Sequence, residues 1–281
     1  MRVGSIAVPA LALISLSACG PEPVYLVRRA ALVSHPTPPL RTGAPMTEVV
    51  EISARSSTVI MPITPREAQD ANSGLWVART NLAGSVRFRA SARWDVGLLF
   101  ETGLRRGAMA VADDSLVMPD VTAVNGGGVT AQYAIPLSKR VSLGIAVDFL
   151  LIKVPYHEVV VCLENCEAAT HSGGGGRELT GLPRIAFLPS YRDRGVTVYG
   201  GVTLVGHPVV AKTQVLGEWS PAIDDRVDSG PTYGLLSAGL DYRVTSVLHL
   251  FAEGFVPVTE TVVRYGPSIG FGLRLSLGAP N

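Results

Sequence analysis

The feature that most constrains this chain is a two-residue alternation of side-chain character. In its last segment, every second position is large and apolar, with Ile269, Phe271, Leu273, Leu275 and Leu277 on one face. Glycine, serine and arginine lie between them. Successive side chains of a β-strand point to opposite faces, so the alternation predicts strands with one apolar face and one small or polar face.

The alternation predicts about ten strands, at 47–60, 83–91, 94–103, 127–135, 140–151, 180–190, 195–206, 232–243, 247–256 and 265–278. Tight turns alternate along the chain with longer connections, the longest of which are 61–82, 104–126, 152–179 and 207–231. In an up-and-down barrel, this order puts the tight turns at one rim and the long loops at the other. Outer-membrane barrels have this arrangement, with short turns in the periplasm. We predict an all-β, up-and-down antiparallel β-barrel over residues 47–281.

The alternation alone does not say which face points outward. The non-apolar face consists mostly of glycine, serine and threonine with scattered charges, a poor surface for a soluble protein but a suitable crowded interior. Trp94, Tyr133 and Tyr242 lie on the apolar face near tight turns, where an interfacial aromatic girdle belongs. We predict that the apolar face points outward; the alternative is a soluble, lipocalin-like barrel. The body resembles small bacterial outer-membrane β-barrels, although it lacks their frequent terminal aromatic residue.

This orientation predicts a lumen with charges of both signs. The predicted lumen charges are Glu51, Arg55, Arg87, Arg89, Asp95, Glu101, Asp148, Arg184, Asp241, Arg243, Glu253 and Arg274. A selective pore lining should favour one sign, whereas an interior filled by side chains needs compensated charges. The even mixture favours a filled interior.

The N-terminus has the layout of a secretory signal, with Arg2 followed by an apolar stretch through Leu16. The sequence Leu16-Ser17-Ala18-Cys19 resembles the lipobox of bacterial lipoproteins, and the alternative is an ordinary signal peptide that contains a cysteine. The resemblance implies cleavage after residue 18 and lipidation of Cys19, including palmitate, in a Gram-negative envelope. Gly20 in place of aspartate implies retention in the outer membrane rather than the inner membrane.

Residues 19–46 are rich in proline and show no clear strand or helix periodicity. They are predicted to form an extended tether between the lipid and the barrel. With ten strands, both ends of the barrel fall on the tight-turn side. The tether is therefore predicted to anchor the barrel from the periplasmic side.

The connection 152–179 carries Cys162 and Cys166. In an exported chain with Cys19 lipidated, these two form an even pair, so a local disulfide is predicted. A zinc site with His157 and His171, and free thiols, are the alternatives. The acidic cluster at 224–230 does not match the EF-hand calcium loop and is predicted to be a solvated loop.

The sequence shows no convincing catalytic motif. His249 and Glu253 share a strand face but are about 13 Å apart along it. The net charge of +1 argues against a nucleic-acid partner. We predict a lipid-anchored outer-membrane barrel with a structural or loop-mediated interaction role, no enzymatic activity, cofactor or metal, and as partners membrane lipid and an extracellular or envelope protein. Alternatives are a narrow channel for small solutes, a lipid-tethered soluble barrel holding an apolar ligand, and a membrane-embedded lipid-modifying enzyme.

Overall fold

The computed structural model describes residues 24–60, 75–106, 109–111, 116–118, 121–164, 172–206, 213–216, 233–258 and 266–278. Within these ranges the regular secondary structure is β-strand. The strands are β1 (Val24–Val33), β2 (Val50–Val59), β3 (Leu75–Val77), β4 (Thr80–Arg89), β5 (Trp94–Arg106), β6 (Met109–Val111), β7 (Leu116–Met118), β8 (Val121–Pro136), β9 (Val141–Glu164), β10 (Ser172–Asp193), β11 (Val196–Val205), β12 (Thr213–Leu216), β13 (Tyr233–Arg243), β14 (Leu248–Pro257) and β15 (Ser268–Leu277). Among the described residues, no helix is long and apolar enough to cross a membrane.

Ten of these strands form a closed antiparallel ring. Its order is β2, β4, β5, β8, β9, β10, β11, β13, β14 and β15, and β15 pairs with β2 to close it. The closing register joins Leu277 to Val50 and Ser268 to Val59. The predicted fold, an up-and-down antiparallel barrel of about ten strands, is confirmed.

The longest strands depart most from the predicted bounds. β9 and β10 stay paired from Val141 opposite Tyr191 to Val160 opposite Ser172. Much of the connection predicted at 152–179 is therefore a β-hairpin that extends beyond the rest of the barrel. The prediction of a loop there was wrong, because sheet pairing continues through a valine run and a glycine run that do not alternate.

The wall has the predicted sidedness, with the apolar face outward. On β15, Phe271 and Leu273 are exposed, whereas Ser268, Arg274 and Ser276 are buried in the interior. Large apolar side chains such as Leu98, Phe100 and Val129 are more than half exposed on the barrel exterior. An apolar belt of this kind is unusual on a soluble monomer and fits the lipid-facing band of a membrane barrel.

Residues 19–46 were predicted to be a tether outside the barrel, and for the described part this was wrong. Residues 34–46 run through the barrel lumen, and β1 pairs antiparallel with β9 beyond the long-loop rim. The physical reason is that a ten-stranded ring lined by small and charged side chains leaves interior volume. The proline-rich segment fills that volume with compensating polar contacts.

Candidate functional site

The candidate site is the barrel lumen together with the segment that occupies it, residues 34–46, which we call the plug segment. The segment enters near the long-loop rim, where His35 contacts Ser57 on β2. It leaves at the tight-turn rim, where the Thr47 carbonyl accepts a hydrogen bond of 2.8 Å from Arg89. Every residue from His35 to Ala44 is buried. The segment thus crosses the lumen and fills its interior.

Side chains of the wall bind the backbone of the plug segment. The Thr37 carbonyl accepts from Arg184 at 3.3 Å, and the Pro38 carbonyl accepts from Arg55 at 3.0 Å. Near the other end, the Ala44 carbonyl accepts from the Gln132 side chain at 3.2 Å. These contacts replace the regular hydrogen bonds that a strand would make and so satisfy buried carbonyl groups.

Local sequence explains why this segment can cross a lumen without pairing as a strand. Its prolines, at 36, 38, 39 and 45, have no backbone N–H and so leave fewer buried donors to satisfy. At Gly43, an added Cβ would come within 1.5 Å of the Leu188 carbonyl oxygen and 2.9 Å of the Gly144 backbone nitrogen. The backbone of the segment therefore approaches the wall more closely than any side chain at residue 43 would allow.

A first charge network lies between the plug segment and strands β4, β5, β8, β9 and β10. Arg184 contacts Glu101 at 2.5 Å and Asp148 at 3.0 Å. Arg41, from the plug segment, contacts Asp95 at 3.0 Å and donates a hydrogen bond to Thr130. Arg87 also contacts Asp95, at 3.2 Å, and pairs with Glu51. Arg41 thereby ties the plug segment into the ion pairs of the wall.

A second network lies on the strands around the seam where the barrel closes. Arg274 contacts Glu51 at 3.0 Å and Asp241 at 2.5 Å. Asp241 also contacts Nδ1 of His249 at 2.8 Å. Glu51 joins this network to the first one because it also pairs with Arg87.

The Arg55–Glu253 pair sits beside buried aromatic rings. The Tyr199 hydroxyl donates to Glu253 at 3.2 Å. The Arg55 guanidinium lies 6.0 Å from the Phe255 ring centroid, and His35 stacks on the same ring at 6.1 Å. His35 Nδ1 also lies 3.0 Å from the Ala78 carbonyl oxygen.

Taken together, the described lumen holds five buried arginines and six buried carboxylates. Each of these arginines lies within salt-bridge distance of at least one of the carboxylates, and each carboxylate within that distance of at least one arginine. This pairing is what a filled interior requires, because a charge buried without a partner is costly. Among the described residues, the buried charges of the lumen therefore compensate one another.

Two predicted lumen charges lie at the tight-turn rim rather than in the buried interior, and one of them, Arg243, lines the open space at that end of the lumen. Arg243 is exposed at the tight-turn rim, where it donates to the Thr245 and Ser246 carbonyls. Arg89 lies at the same rim and binds the Thr47 carbonyl. Both are the last residues of their strands, so the alternation assigns their face correctly but not their distance from the barrel interior.

The sequence analysis did not identify the lumen residues from the plug segment, above all His35, Thr37 and Arg41. The sequence around these three residues has no strand or helix periodicity, so it does not indicate that their side chains face a barrel interior. The available hint was Arg41, a cation within a mostly apolar, proline-rich stretch, but its carboxylate partners are distant in sequence.

Among the described residues, two cavities line the lumen, and the larger of these two lies at the tight-turn end. A cavity of about 100 Å³ there is lined by both signs of charge, including Glu51, Arg87, Asp241, His249 and Arg274. A second cavity, of about 10 Å³, lies beside Leu40 and Arg41. The first has room for only a few water molecules.

The aromatic residues predicted for a girdle lie around the tight-turn end. The Trp94 and Tyr133 ring centroids are 5.0 Å apart, and Tyr242 is exposed on the wall. In the adjacent turn, Arg140 donates to the Tyr191 hydroxyl at 3.2 Å and lies 3.6 Å from Asp193. These two contacts raise the pKa of Arg140 above its usual value.

The remaining predicted sites are only partly within the described residues. Cys162 is in β9, with Tyr25 of β1 opposite it, whereas Cys166 and His171 lie outside the described residues. The disulfide therefore stays a prediction, as does the loop at 224–230, which is also outside them. His249 contacts Asp241 and Glu253 pairs with Arg55, so these two residues belong to separate groups. No metal-binding cluster of three or more His, Cys, Asp or Glu side chains occurs among the described residues.

Neither a family model nor a curated protein matches the chain. Among solved structures, it is similar to the outer-membrane protease OmpT from Escherichia coli, with 9% identity, 91% of this chain and 97% of that chain covered, and a TM-score of 0.40. An outer-membrane channel from Pseudomonas putida F1 has 12% identity, coverage of 86% and 99%, and a TM-score of 0.41. LpxR from Salmonella typhimurium has 7% identity, coverage of 81% and 100%, and a TM-score of 0.37. These likenesses assign no activity to this chain.

Proposed function

We propose that this protein is a lipid-anchored outer-membrane β-barrel that is closed by its own plug segment and serves as a structural or interaction scaffold, without catalytic activity. The observation that carries the proposal is the occupied lumen, in which residues from His35 to Ala44 are buried and Arg41 is paired with a wall carboxylate. A lumen filled in this way has no wide path for solutes. Its partner is an extracellular or envelope protein that contacts the long-loop side.

The extended hairpin supports an interaction role. β9 and β10 continue past the wall strand β8, whose pairing with β9 ends at Asn125 opposite Lys153. A long hairpin on a rigid barrel is a suitable platform for recognition, because the barrel fixes its position while loop sequences vary.

Planar-bilayer recording separates a closed scaffold from a narrow channel. We expect the full chain to be silent across salts and voltages. A variant lacking residues 24–46 should conduct, because removing β1 together with the plug segment leaves no N-terminal strand that must cross the lumen. Heat-dependent gel mobility of the deletion variant would verify that its barrel still folds. A steady current from the full chain equal to that of the deletion variant would refute the closed scaffold.

The lipid anchor and the integral barrel are tested by one pair of proteins. We expect the full chain to incorporate labelled palmitate and a Cys19→Ala variant with a replacement cleavable signal not to do so. Both should stay in membranes washed with alkaline carbonate, because the apolar wall faces lipid. Release of the variant by carbonate would show that the lipid is its only anchor and would favour the soluble, lipid-tethered barrel.

Lipid hydrolysis by the purified protein addresses the enzymatic alternative. We expect no release of fatty acid from outer-membrane lipids above the level of a His249→Ala, Asp241→Asn double variant. Hydrolysis that this double variant loses would contradict the proposal and assign chemistry to the pair at the tight-turn end of the lumen.

A further inference from the structure

The two ends of the plug segment lie at opposite rims of the barrel. At the long-loop rim, the carbonyl of Val33 accepts a backbone hydrogen bond of 2.8 Å from Ala78. At the tight-turn rim, the Thr47 carbonyl binds Arg89, and Val49 donates to the Gly278 carbonyl at 2.9 Å. The plug segment has thirteen residues, and an extended proline-rich chain of that length spans about 40 Å. This is longer than the height of the lipid-facing apolar band of a membrane barrel, about 25 Å.

Beyond the long-loop rim, the chain continues away from the barrel as β1. It pairs antiparallel with β9 from Ala31 opposite Tyr156 to Val24 opposite Glu164. On this edge of β9, the wall strand β8 pairs only as far as Lys153. β1 therefore takes over the edge that β8 leaves, and its other edge pairs with β12. Backbone pairing on both sides holds the described N-terminal strand at this end of the molecule.

We infer that the N-terminal segment passes through the protein's own barrel and presents Cys19 and the residues after it on the outer face of the membrane. Cys19 is five residues from Val24, a fully extended reach of about 17 Å. Val24 already lies past the long-loop rim, and the tight-turn rim is at least a membrane band of about 25 Å away. While the segment is threaded, a lipid on Cys19 cannot enter the periplasmic leaflet.

The periplasmic anchor predicted from the sequence requires the chain to leave the barrel at the tight-turn rim, whereas residues 24–46 lead from that rim through the lumen to the opposite end. The assignment of a lipid to Cys19 rests on the proposed function. The outward display of the segment rests only on the path of residues 24–46. Palmitate labelling tests the lipid on Cys19, whereas epitope tags and a disulfide cross-link test the outward display.

Epitope tags on intact cells test the display. One tag is inserted between Gly20 and Pro21, a second in the tight turn between Ser138 and Lys139, and a third after Val258 at the long-loop rim. We expect an antibody that cannot cross the membrane to label the first and third tags on intact cells, and the second only after permeabilisation. Labelling of the first tag only after permeabilisation, with the third accessible throughout, would overturn the inference.

A disulfide trap tests the path without an inserted tag. Val27 and Val160 are opposite each other in the β1–β9 register. In a background with Cys162→Ser and Cys166→Ser, we expect Val27→Cys and Val160→Cys to cross-link under mild oxidation, whereas Val27→Cys with Ser138→Cys should not. Absence of the first cross-link would overturn the inference. Cross-linking together with absent palmitate labelling would leave the path intact and refute only the lipid anchor.

Discussion

The wall of the barrel and the plug segment inside it are held by different means. Each wall strand pairs with two neighbours and has one apolar and one polar face, so its stability comes from backbone pairing and from contact with lipid. The plug segment has no strand partner between residues 34 and 46 and is held by arginine and glutamine side chains, by close glycine contact and by Arg41. The wall depends on a repeating pattern, whereas the plug segment depends on a few specific contacts.

The largest loss of stability should come from removing Arg184, one of the arginines that contact both the wall and the plug segment. Arg184 contacts Glu101 and Asp148 on the wall and donates to Thr37 Oγ1 of the plug segment at 3.1 Å. Arg184→Ala leaves Glu101 without a cation and should lower the free energy of unfolding by about 3–5 kcal/mol. Denaturant titration in detergent micelles measures this loss. The matched control is Arg177→Ala, at an exposed position of the same strand, and an equal loss in both variants would contradict the assigned role.

A charge on the lipid-facing side should disturb the wall without touching the plug segment. Phe100 is 57% exposed on the exterior of β5 and is the middle residue of that strand. Phe100→Arg should lower the free energy of unfolding by about 2–4 kcal/mol and reduce the fraction of protein inserted into membranes. The inserted protein should still show no conductance in planar bilayers. Phe100→Leu is the control and should insert normally. Normal insertion of the arginine variant would contradict the apolar-out orientation.

A larger side chain at Gly144, on the inner face of the wall, should displace the plug segment while the wall strands stay paired. An added Cβ at Gly144 would lie 2.6 Å from the Cα of Gly43. We expect Gly144→Val to lose about 1–3 kcal/mol, to open a conducting path and to hide the tag at residue 20 on intact cells.

Gly127→Val is the matched control for that variant. A Cβ at Gly127 would meet only the Leu99 carbonyl oxygen, at 3.7 Å, on the outer face of the wall. The control should stay silent in planar bilayers. A silent Gly144→Val variant that still displays the tag would show that residue 43 does not lie against residue 144.

The smallest effect should come from the girdle. Trp94→Ala removes an aromatic contact with Tyr133, worth about 0.5–1.5 kcal/mol, and leaves both the ion pairs and the plug segment in place. The unfolding free energy should fall by this amount while conductance stays zero. Leu137→Ala, at an exposed turn position, should change stability by less than about 0.5 kcal/mol. A current from the tryptophan variant would show that girdle and plug segment are coupled.

The sequence predicted the wall because its signal is local. Alternation of apolar residues such as Phe271 and Leu273 with small or charged ones identifies the strands, and most charges on the small face, such as Glu51 and Arg274, are buried in the lumen. The same reasoning failed for the ends of β9 and β10, where runs of valine and glycine do not alternate. Pairing of β9 with β10, and of β1 with β9, forms strands there although neither segment has the pattern alone.

By itself, the sequence determined the fold class, the strand number and the sidedness of the wall. Neighbouring side chains of a strand point to opposite faces, so the alternation of apolar and small residues sets these features without any contact to distant parts of the chain. Only the tertiary structure decided the path of residues 24–46. Their composition suits any extended, polar-lined environment, and the partners of Arg41 and of the Thr37 carbonyl come from strands far along the chain. The interior that residues 34–46 occupy exists only once β15 pairs with β2 and closes the ring. The local sequence of this segment therefore predicted a tether and not its position inside the barrel.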